Sequence, residues 1–348
     1  GTAALTGARV FTATSSQGLL YGMEMLYTVS GWRAPFVMAN VSRGLATPIT
    51  LEPDHNDILA ARDSGFLQIH CATCQEIVDC TLIAFRLAED ERVRLPVLVN
   101  YDGFYLSFTR EPVDLPTAAA VEAFLPAYDA GASGIRAGRP SSEAVSVLGG
   151  SPYSYFRYET HLAARQALAV YDEAAAAYEG ASGRAYPAVE SYRMEDAEVA
   201  FVMIGSFATK AEAAVDELRA EGRKVGLVRP RLLRPFPEAA LREALLGRAA
   251  VAVVDQNLSM GKGGVLHTEV ASALYGAPAA PPLLGFVGGL GGRDISAREF
   301  AGMASAALHA AESGRVPEVR LLYTEDELRE VRKLQAIAAA SAQGGGQW

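Results

Sequence analysis

The stretch from Val10 to Ser30, VFTATSSQGLLYGMEMLYTVS, places a β-prone run, a polar loop and a helical run in direct succession. Val10 to Thr14 is short and rich in residues that favour strands. Ser15 to Gly18 forms the polar loop, and Leu19 to Ser30 predicts a helix whose N-terminus lies on that loop. A strand that passes through a short loop into a helix is half of a βαβ unit, so this stretch favours an α/β fold.

The same alternation continues through both halves of the chain. Further predicted strands cover residues 34–41, 65–70, 94–101, 199–204, 224–228, 250–255 and 284–287. Predicted helices cover residues 75–90, 155–178, 210–221, 238–246 and 261–275, and residues 131–151, rich in Gly, Ser and Pro, predict a linker or surface loop. Strands that alternate with helices predict mostly parallel sheets covered on both faces. The fold class is therefore α/β, with two doubly wound domains.

Composition excludes several classes of protein. The 348 residues carry 31 Lys and Arg against 40 Asp and Glu, a net charge of −9, and half of them are hydrophobic. This content excludes a disordered or fibrous chain, and the acidic balance argues against nucleic-acid binding, which needs a basic surface. No apolar run approaches the roughly 18–20 residues that span a bilayer.

The cysteine count and the start of the chain predict its location. Three cysteines cannot form a disulfide framework, which favours a reducing compartment. Residues 1–10 resemble neither a signal peptide nor a transit peptide. We therefore expect a cytoplasmic protein with no membrane partner.

Polar groups at two predicted strand ends are candidate ligand-binding residues. Hydroxyls and free backbone N–H groups in the loop 14–18 could hold an anion or a heterocycle, although an ordinary helix N-cap also explains them. Arg43 follows the strand in APFVMANVSRG, where α/β proteins place ligands. Its guanidinium suits a carboxylate, and the alternative is a surface or interface ion pair.

Three other clusters have less specific explanations. Residues 54–57, Asp-His-Asn-Asp, could bind metal or act in acid–base chemistry, but a helix-capping run is favoured. Cys71, Cys74 and Cys80 suggest a zinc or iron–sulfur site, but there is no second C-x-x-C, so close packing at a strand–helix junction is favoured. Residues 261–264, Gly-Lys-Gly-Gly, lack the pattern of a dinucleotide site and predict a tight turn into a helix.

Longer motifs occur in a fixed order along the chain. In the first half they are TATSSQGLLYGMEMLY, NVSRGLATPITLEPDHNDILAARDSGFLQI, QEIVD, LPVLVNYDGFYLS, EPVDLP and FLPAY. In the second half they are GRAYPAVESYRMEDAEVAFVMIGS, VGLVRPRLLRPFP, SMGKGGVLHTEV and GFVGGLGGRDI. Through these motifs the chain resembles the α subunit of the 2-oxoacid:ferredoxin oxidoreductases, the pyruvate/ketoacid oxidoreductase family, up to about residue 300.

The resemblance implies an enzyme, active only within a multi-subunit complex, that oxidatively decarboxylates a 2-oxoacid of the pyruvate type to acyl-CoA and CO2. It implies thiamine diphosphate at the interface with a β subunit, and coenzyme A as co-substrate. Mg2+ and [4Fe-4S] clusters are expected in partner subunits, since the clusters need cysteines that this chain lacks. The partners implied are β, γ and δ-type subunits and ferredoxin or a similar electron acceptor.

The resemblance also implies an order of domains. Residues 1–130 resemble a thiamine-diphosphate pyrimidine-binding-type domain, and residues 186–310 resemble a transketolase C-terminal-like domain. Residues 131–185 are then the linker and a strap helix, and residues 311–348 are a C-terminal helix and tail. The family glutamate that activates the cofactor would lie upstream of Gly1, so the first domain is expected to be N-terminally incomplete in this sequence.

Residue roles follow from the same resemblance. Arg43 matches the arginine that meets the substrate carboxylate, and no metal ligand is expected in this chain. The cofactor-binding candidates are Thr14, Ser15, Ser16, Gln17 and Gly18. The candidates for the substrate pocket are Thr47 and Phe108. A structural role is implied for Asp54, His55 and Asp57.

One position departs from the family pattern. The family usually has histidine where this chain has Phe108, directly after Ser107. Loss of a polar group there favours a larger or apolar substrate, so a phenylglyoxylate- or oxalate-type member of the family is an alternative. A transketolase or 2-oxoacid dehydrogenase component without clusters, and a non-catalytic scaffold subunit, are more distant alternatives.

Overall fold

Two sheets organise the chain in this computed structural model, which describes residues 1–131, 134–138, 140, 142 and 144–344. The strands of the first sheet are β1 (Phe11–Thr14), β2 (Val37–Ser42), β3 (Leu67–His70), β4 (Val97–Asp102) and β8 (Leu232–Arg234). Their order is β1-β2-β4-β3-β8. The first four are parallel, and β8 pairs with β3 in the antiparallel direction.

The second sheet is larger and more deeply buried. Its strands are β5 (Val189–Tyr192), β6 (Val199–Val202), β7 (Val225–Pro230), β9 (Ala250–Asp255), β10 (Leu283–Val287) and β11 (Arg320–Leu321). Their order is β11-β10-β9-β6-β7-β5, and only β5 is antiparallel to its neighbour. Every residue of β6, β7 and β9 is buried, as expected for a sheet that is covered on both faces.

Helices pack against the two sheets, except for the last, whose described side chains are almost all exposed. They are α1 (Thr2–Leu5), α2 (Gln17–Tyr21), α3 (Met23–Gly31), α4 (Asn56–Ala60), α5 (Cys74–Glu89), α6 (Ala118–Phe124), α7 (Gly150–Ser182), α8 (Phe207–Ala220), α9 (Glu238–Leu245), α10 (Val265–Leu274), α11 (Ala297–Ser313) and α12 (Glu325–Gly344). Helices α5 and α7 cover one face of the first sheet, and α8 and α11 cover one face of the second. A third apolar cluster joins α2, α3 and α4 to α9 and α10. The predicted α/β class with two doubly wound sheets is therefore confirmed.

The chain passes from the second sheet into the first within a few residues. Strand β8 follows β7 after a single residue, Arg231. Arg229 and Arg231 both pair with the buried carboxylate of Glu76 on α5, at 2.6 and 2.9 Å. Glu190 on β5 pairs with the same two arginines. This buried ionic cluster joins the two sheets at the crossover.

A second buried carboxylate holds the strap helix α7 against the first sheet. Asp79 on α5 accepts hydrogen bonds from the hydroxyls of Tyr178 and Tyr186 and from Arg184 Nε, each at 2.6 Å. Burial alone would raise the pKa of Asp79, but these donors lower it below its ordinary value. The helix predicted over residues 155–178 is present and is longer than the sequence pattern indicated, whereas its role as a strap between domains stays a prediction.

Several short elements could not be predicted from the sequence. Strands β5, β8 and β11 and helix α6 have two to seven residues each, too few to show a clear periodicity. The domain boundaries stay predictions, and parts of the predicted linker, as well as the tail after residue 344, lie outside the described residues.

Within the described part of the chain, none of the helices is both long enough and apolar enough to cross a bilayer.

Replacing Glu76 by Gln should lower the free energy of unfolding by about 2–3 kcal/mol, because two buried arginines lose one of their two carboxylates and keep only Glu190. Burial alone would raise the pKa of Glu76, but Arg229 and Arg231 lower it to about 2. The stabilisation is therefore fully present above the ordinary pKa of 4.5 and is lost as the pH falls toward 2. Urea denaturation of both chains at several pH values measures the effect.

The matched control is Glu173→Gln, which removes a surface ion pair with Arg92. It should cost less than about 1 kcal/mol, because exposed pairs contribute little. Equal losses in the two variants would contradict the prediction.

Candidate active site

Three parallel strands of the first sheet end at one edge and bring polar residues together there. Strand β1 ends at Thr14, β2 at Ser42 and β4 at Asp102, and Ser42 lies opposite Asp102 in the sheet. The carboxyl ends of parallel strands are where α/β proteins bind ligands. The loops that follow these strands therefore form the candidate site.

Arg43 extends from the end of β2 onto the loop that follows β1. Its Nε donates a hydrogen bond to Ser15 Oγ at 2.7 Å, and Ser15 Oγ donates to the Val41 carbonyl at 2.8 Å. Among the described residues, the two terminal nitrogens of the guanidinium have no hydrogen-bond or ion-pair partner. An arginine that is held at Nε and free at its fork can bind a carboxylate through two parallel hydrogen bonds. The structure thus brings together two residues singled out from the sequence.

A buried carboxylate beneath this loop joins the two strand ends. Asp57 Oδ2 accepts from the Ser16 backbone N–H at 3.0 Å and from Asn40 Nδ2 at 3.1 Å. Asp57 Oδ1 accepts from the Ser42 hydroxyl and, at 2.7 Å, from the Ile58 N–H. Burial raises the pKa of Asp57 although these donors favour its ionised form. The arginine that follows Ser42 therefore rests on a network centred on Asp57.

A second buried cluster ties the same edge to the other half of the chain. His55 Nε2 lies 2.6 Å from Asp102 Oδ1, and Asp102 Oδ2 accepts from the Ser206 backbone N–H at 2.8 Å and from its hydroxyl. Burial alone would lower the pKa of His55, but Asp102 raises it above its ordinary value. Gly205 has a φ of 78°, and a Cβ there would lie 2.8 Å from His55 Cε1, so only glycine permits this approach.

Sequence reasoning did not single out Asp102 or Ser206. Both occupy positions that could have been noticed, because Asp102 closes a predicted strand in VNYDG and Ser206 begins the loop after another. Their contact across the two halves of the chain, however, is a property of the tertiary structure.

The candidate metal-binding side chains lie in two segments, residues 54–57 and the segment that carries the three cysteines. Asp54 Oδ1 accepts from the Asn56 N–H at 2.8 Å, which closes a turn at the start of α4. Cys71 and Cys80 are buried, and Cys74 is partly buried. In the part of the chain that the structure describes, no three His, Cys, Asp or Glu side chains are arranged to hold a metal ion.

The glycine-rich segment 261–264 leads into a helix whose N-terminus is already capped. Asp255, at the end of β9, accepts hydrogen bonds from the backbone N–H groups of Leu266 and His267 at 2.7 and 3.1 Å. Burial raises the pKa of Asp255 to about 7. A Cβ on Gly264 would overlap this carboxylate, so the glycine is required by the turn. The helix N-terminus that a phosphate would need is occupied by Asp255.

Residues at the end of β1 and the start of α2 line two cavities. One, of about 230 Å3, has Thr14 and Gly18 on its wall, and a Cβ on Gly18 would lie 2.6 Å from Thr14 Oγ1. Its other walls are apolar and include Leu19, Phe36 and Met38. The second, of about 440 Å3, is lined by Gln17, whose Nε2 is buried with no hydrogen-bond partner among the described residues. The apolar walls of the first cavity fit a flat ring, whereas the unpaired Gln17 amide borders the second cavity and is itself buried.

The two predicted pocket residues do not line these cavities. Phe108 is 78% exposed and stacks on Phe104, and the cleft it lines with Glu52 does not include Arg43. Thr47 is exposed on the loop between Arg43 and Glu52. Their contribution to substrate binding stays a prediction.

Two family models and several named proteins are similar to this chain in sequence. Residues 2–177 match the family model described as pyruvate flavodoxin/ferredoxin oxidoreductase, thiamine diphosphate-binding, and residues 197–300 match pyruvate:ferredoxin oxidoreductase core domain II. The pyruvate synthase subunit PorA of Thermotoga maritima is 42% identical over 303 residues, 84% of this chain and 74% of that protein. The same subunit of Pyrococcus abyssi is 38% identical over 314 residues, 90% of this chain and 79% of that protein.

One further relative carries a different name, and one solved structure has a similar fold. The ketoisovalerate oxidoreductase subunit VorA of Pyrococcus horikoshii is 37% identical over 317 residues, 90% of this chain and 79% of that protein. A 2-oxoglutarate:ferredoxin oxidoreductase from Magnetococcus marinus has a TM-score of 0.60 at 17% identity, covering 87% of this chain and 54% of that chain, which supports the fold. The resemblance drawn from the sequence motifs is confirmed. The chain belongs to the family of 2-oxoacid:ferredoxin oxidoreductase α subunits.

Proposed function

We propose that this chain positions the substrate in a complex that oxidatively decarboxylates a 2-oxoacid to acyl-CoA and CO2. The observation that carries the proposal is Arg43, half-buried at the ligand-binding edge of the sheet with its fork free among the described residues. The proposed substrate is pyruvate or a small branched 2-oxoacid. Support comes from relatives of similar identity that are named pyruvate synthase and ketoisovalerate oxidoreductase.

The chemistry of the substrate explains why an arginine is suited to this role. The carboxylate of a 2-oxoacid is the group that leaves as CO2, and a bidentate guanidinium fixes its direction relative to the keto carbon. Negative charge moves away from the carboxylate as CO2 forms. Arg43 therefore contributes more to binding and orientation than to the decarboxylation step itself.

The loop from Thr14 to Gly18 is proposed to hold the aminopyrimidine end of thiamine diphosphate. When bound, thiamine diphosphate supplies the nucleophilic carbon and the electron sink that decarboxylation of a 2-oxoacid requires. The apolar walls beside Thr14 and Gly18 exclude water from the ring. Gln17 lines the neighbouring cavity rather than this one, so its amide gives no direct support to the ring site.

The other components of the reaction are proposed to belong to partner subunits. A [4Fe-4S] cluster needs four thiolates, whereas this chain has three cysteines, two of them buried. We assign the clusters, Mg2+ and the diphosphate site to β, γ and δ-type subunits, with ferredoxin or a similar protein as acceptor and coenzyme A as co-substrate. The acidic chain without a disulfide framework is consistent with a cytoplasmic complex.

One observation favours a second candidate substrate. The exposed Phe104–Phe108 pair offers aromatic surface for a 2-oxoacid of the phenylglyoxylate type, but its cleft does not include Arg43, and Glu52 in that cleft would repel the substrate carboxylate. An oxalate-type substrate has no comparable support from this pair. A non-catalytic scaffold role would not explain why the two terminal nitrogens of Arg43 are unpaired at the ligand-binding edge of the sheet.

Reduction of a viologen dye by the natively purified complex tests the proposed function. Pyruvate, 2-oxoglutarate, 2-oxoisovalerate, oxalate and phenylglyoxylate are compared with and without coenzyme A. We expect CoA-dependent reduction with pyruvate or 2-oxoisovalerate. Activity with phenylglyoxylate alone would favour the second candidate, and no activity with any acid in a cofactor-loaded complex would contradict the proposal.

Replacing Arg43 by Lys should raise the KM for the preferred 2-oxoacid about 10- to 100-fold, because lysine keeps the charge but loses the fork and the hydrogen bond to Ser15. Arg43→Ala should raise it further, while kcat falls less than kcat/KM in both variants. Steady-state kinetics of the complex measure the split. Arg298→Lys, on an exposed face of α11, is the control and should leave KM unchanged. An unchanged KM in Arg43→Lys would show that Arg43 does not bind the substrate carboxylate.

Replacing Asp57 by Asn should lower stability by about 2–3 kcal/mol and raise KM, because one of its acceptor oxygens becomes a donor that faces another donor. Thermal denaturation measures the first effect and kinetics of the folded fraction the second. Asp54→Asn is the matched control, since that carboxylate binds only the nearby Asn56 N–H. A stability loss with an unchanged KM would show that Asp57 acts on folding alone.

A further inference from the structure

Two phenylalanines on the loop after β4 form a stacked pair that faces solvent. The ring centroids of Phe104 and Phe108 are 5.2 Å apart with an interplanar angle of 7°. Phe104 is 43% exposed and Phe108 is 78% exposed. One face of Phe108 packs on Phe104, so its other face is available to a ligand or a partner.

The backbone of this loop is held in a conformation that phenylalanine rarely adopts. Phe104 has a φ of 60°, in the left-handed region that is a true outlier for a bulky side chain. Its N–H donates to Ser107 Oγ at 2.9 Å, and its carbonyl accepts from the Phe108 N–H at 3.1 Å. The neighbouring Tyr105 hydroxyl donates to the Gly292 carbonyl at 3.2 Å, which attaches the loop to the second half of the chain. The aromatic pair is therefore fixed in its exposed position.

The cleft beside this pair contains an acidic side chain with no counter-charge. Glu52 lines the cleft with both phenylalanines and Gly292, and no hydrogen bond or ion pair among the described residues involves its carboxylate. A Cβ on Gly292 would lie 2.5 Å from Glu52 Oε2, so the glycine leaves room for the carboxylate. Lys210 lies over the ring of Tyr105, which also lines the cleft, and its ammonium is paired with Asp294 rather than with Glu52. The cleft therefore combines an open aromatic face with an unmet negative charge.

We propose that this cleft, about 420 Å3 in volume, receives an arginine side chain from a partner subunit of the complex. The guanidinium would stack on the free face of Phe108 and pair with Glu52. A planar guanidinium satisfies both features at once, whereas an ammonium is a point charge that stacks less well. A 2-oxoacid is an anion that Glu52 would repel, which argues against the substrate as occupant. The proposal rests on the proposed function only for the existence of a complex.

Dissociation of the intact, natively purified complex on dilution tests this docking surface. We expect Glu52→Gln to weaken the affinity for the partner subunit about tenfold, with a smaller dependence on salt than the wild-type chain. Phe108→Leu keeps an apolar side chain but removes the aromatic face, and should weaken the affinity about five- to tenfold. Phe108→Trp should retain the affinity or increase it, because indole is the best aromatic partner of a cation. Dissociation constants from analytical ultracentrifugation at two salt concentrations provide the readout.

Two exposed side chains elsewhere serve as controls. Glu122→Gln and Tyr275→Ala should leave the affinity unchanged, since both residues are exposed away from the cleft. Wild-type affinity in Phe108→Leu would show an ordinary apolar contact and overturn the proposal. Unchanged affinity in Glu52→Gln, with an altered KM at saturating partner concentration, would instead make the cleft part of the substrate pocket. Because assembly is measured without turnover, a complex that assembles normally but oxidises no 2-oxoacid counts against the proposed function and leaves the docking surface supported.

Discussion

The buried carboxylate of Asp57 is the group on which the geometry of the candidate site depends most. The sheet places the ends of β1 and β2 side by side, and Asp57 closes the gap by accepting hydrogen bonds from Ser16 and Ser42. A carboxylate removed from water is stable only when such donors surround it. Loss of any one of these donors would therefore destabilise the fold at this edge of the sheet. With all of them in place, the backbone that carries Arg43 is held rigidly. Rigid support of this kind is what orientation of a small substrate requires.

The same edge of the sheet also depends on the second half of the chain. Asp102 binds His55 from its own half and Ser206 from the other, and Glu76 binds two arginines beside the crossover from β7 to β8. Buried charges with one partner removed are costly, so neither half can separate without exposing them. The second half thus supports the site although none of its side chains lies beside Arg43 in the contacts described.

The site was only partly predictable from sequence, for reasons that differ between residues. Arg43 and Ser15 follow predicted strands, and the ends of parallel strands share one edge, so their proximity could be expected. From its sequence pattern Asp57 is a helix-capping carboxylate. Its role in the network could not be predicted, because its partners Ser42 and Ser16 are 15 and 41 residues away in the chain. Phe108 was interpreted through the family pattern, while its stacking on Phe104 and its exposure follow from an unusual backbone conformation that residue types do not reveal.

The sequence by itself determined the α/β class, the order of the longer strands and helices, and the family, because apolar runs, helical periodicity and motifs are local properties of a chain. Only the tertiary structure decided that β8 joins the first sheet, that Ser206 meets Asp102, and that Glu52 lies unpaired beside the aromatic pair. Each of these depends on the distance between segments far apart in sequence. Such distances are set by the packing of two sheets and their helices, which no local pattern encodes.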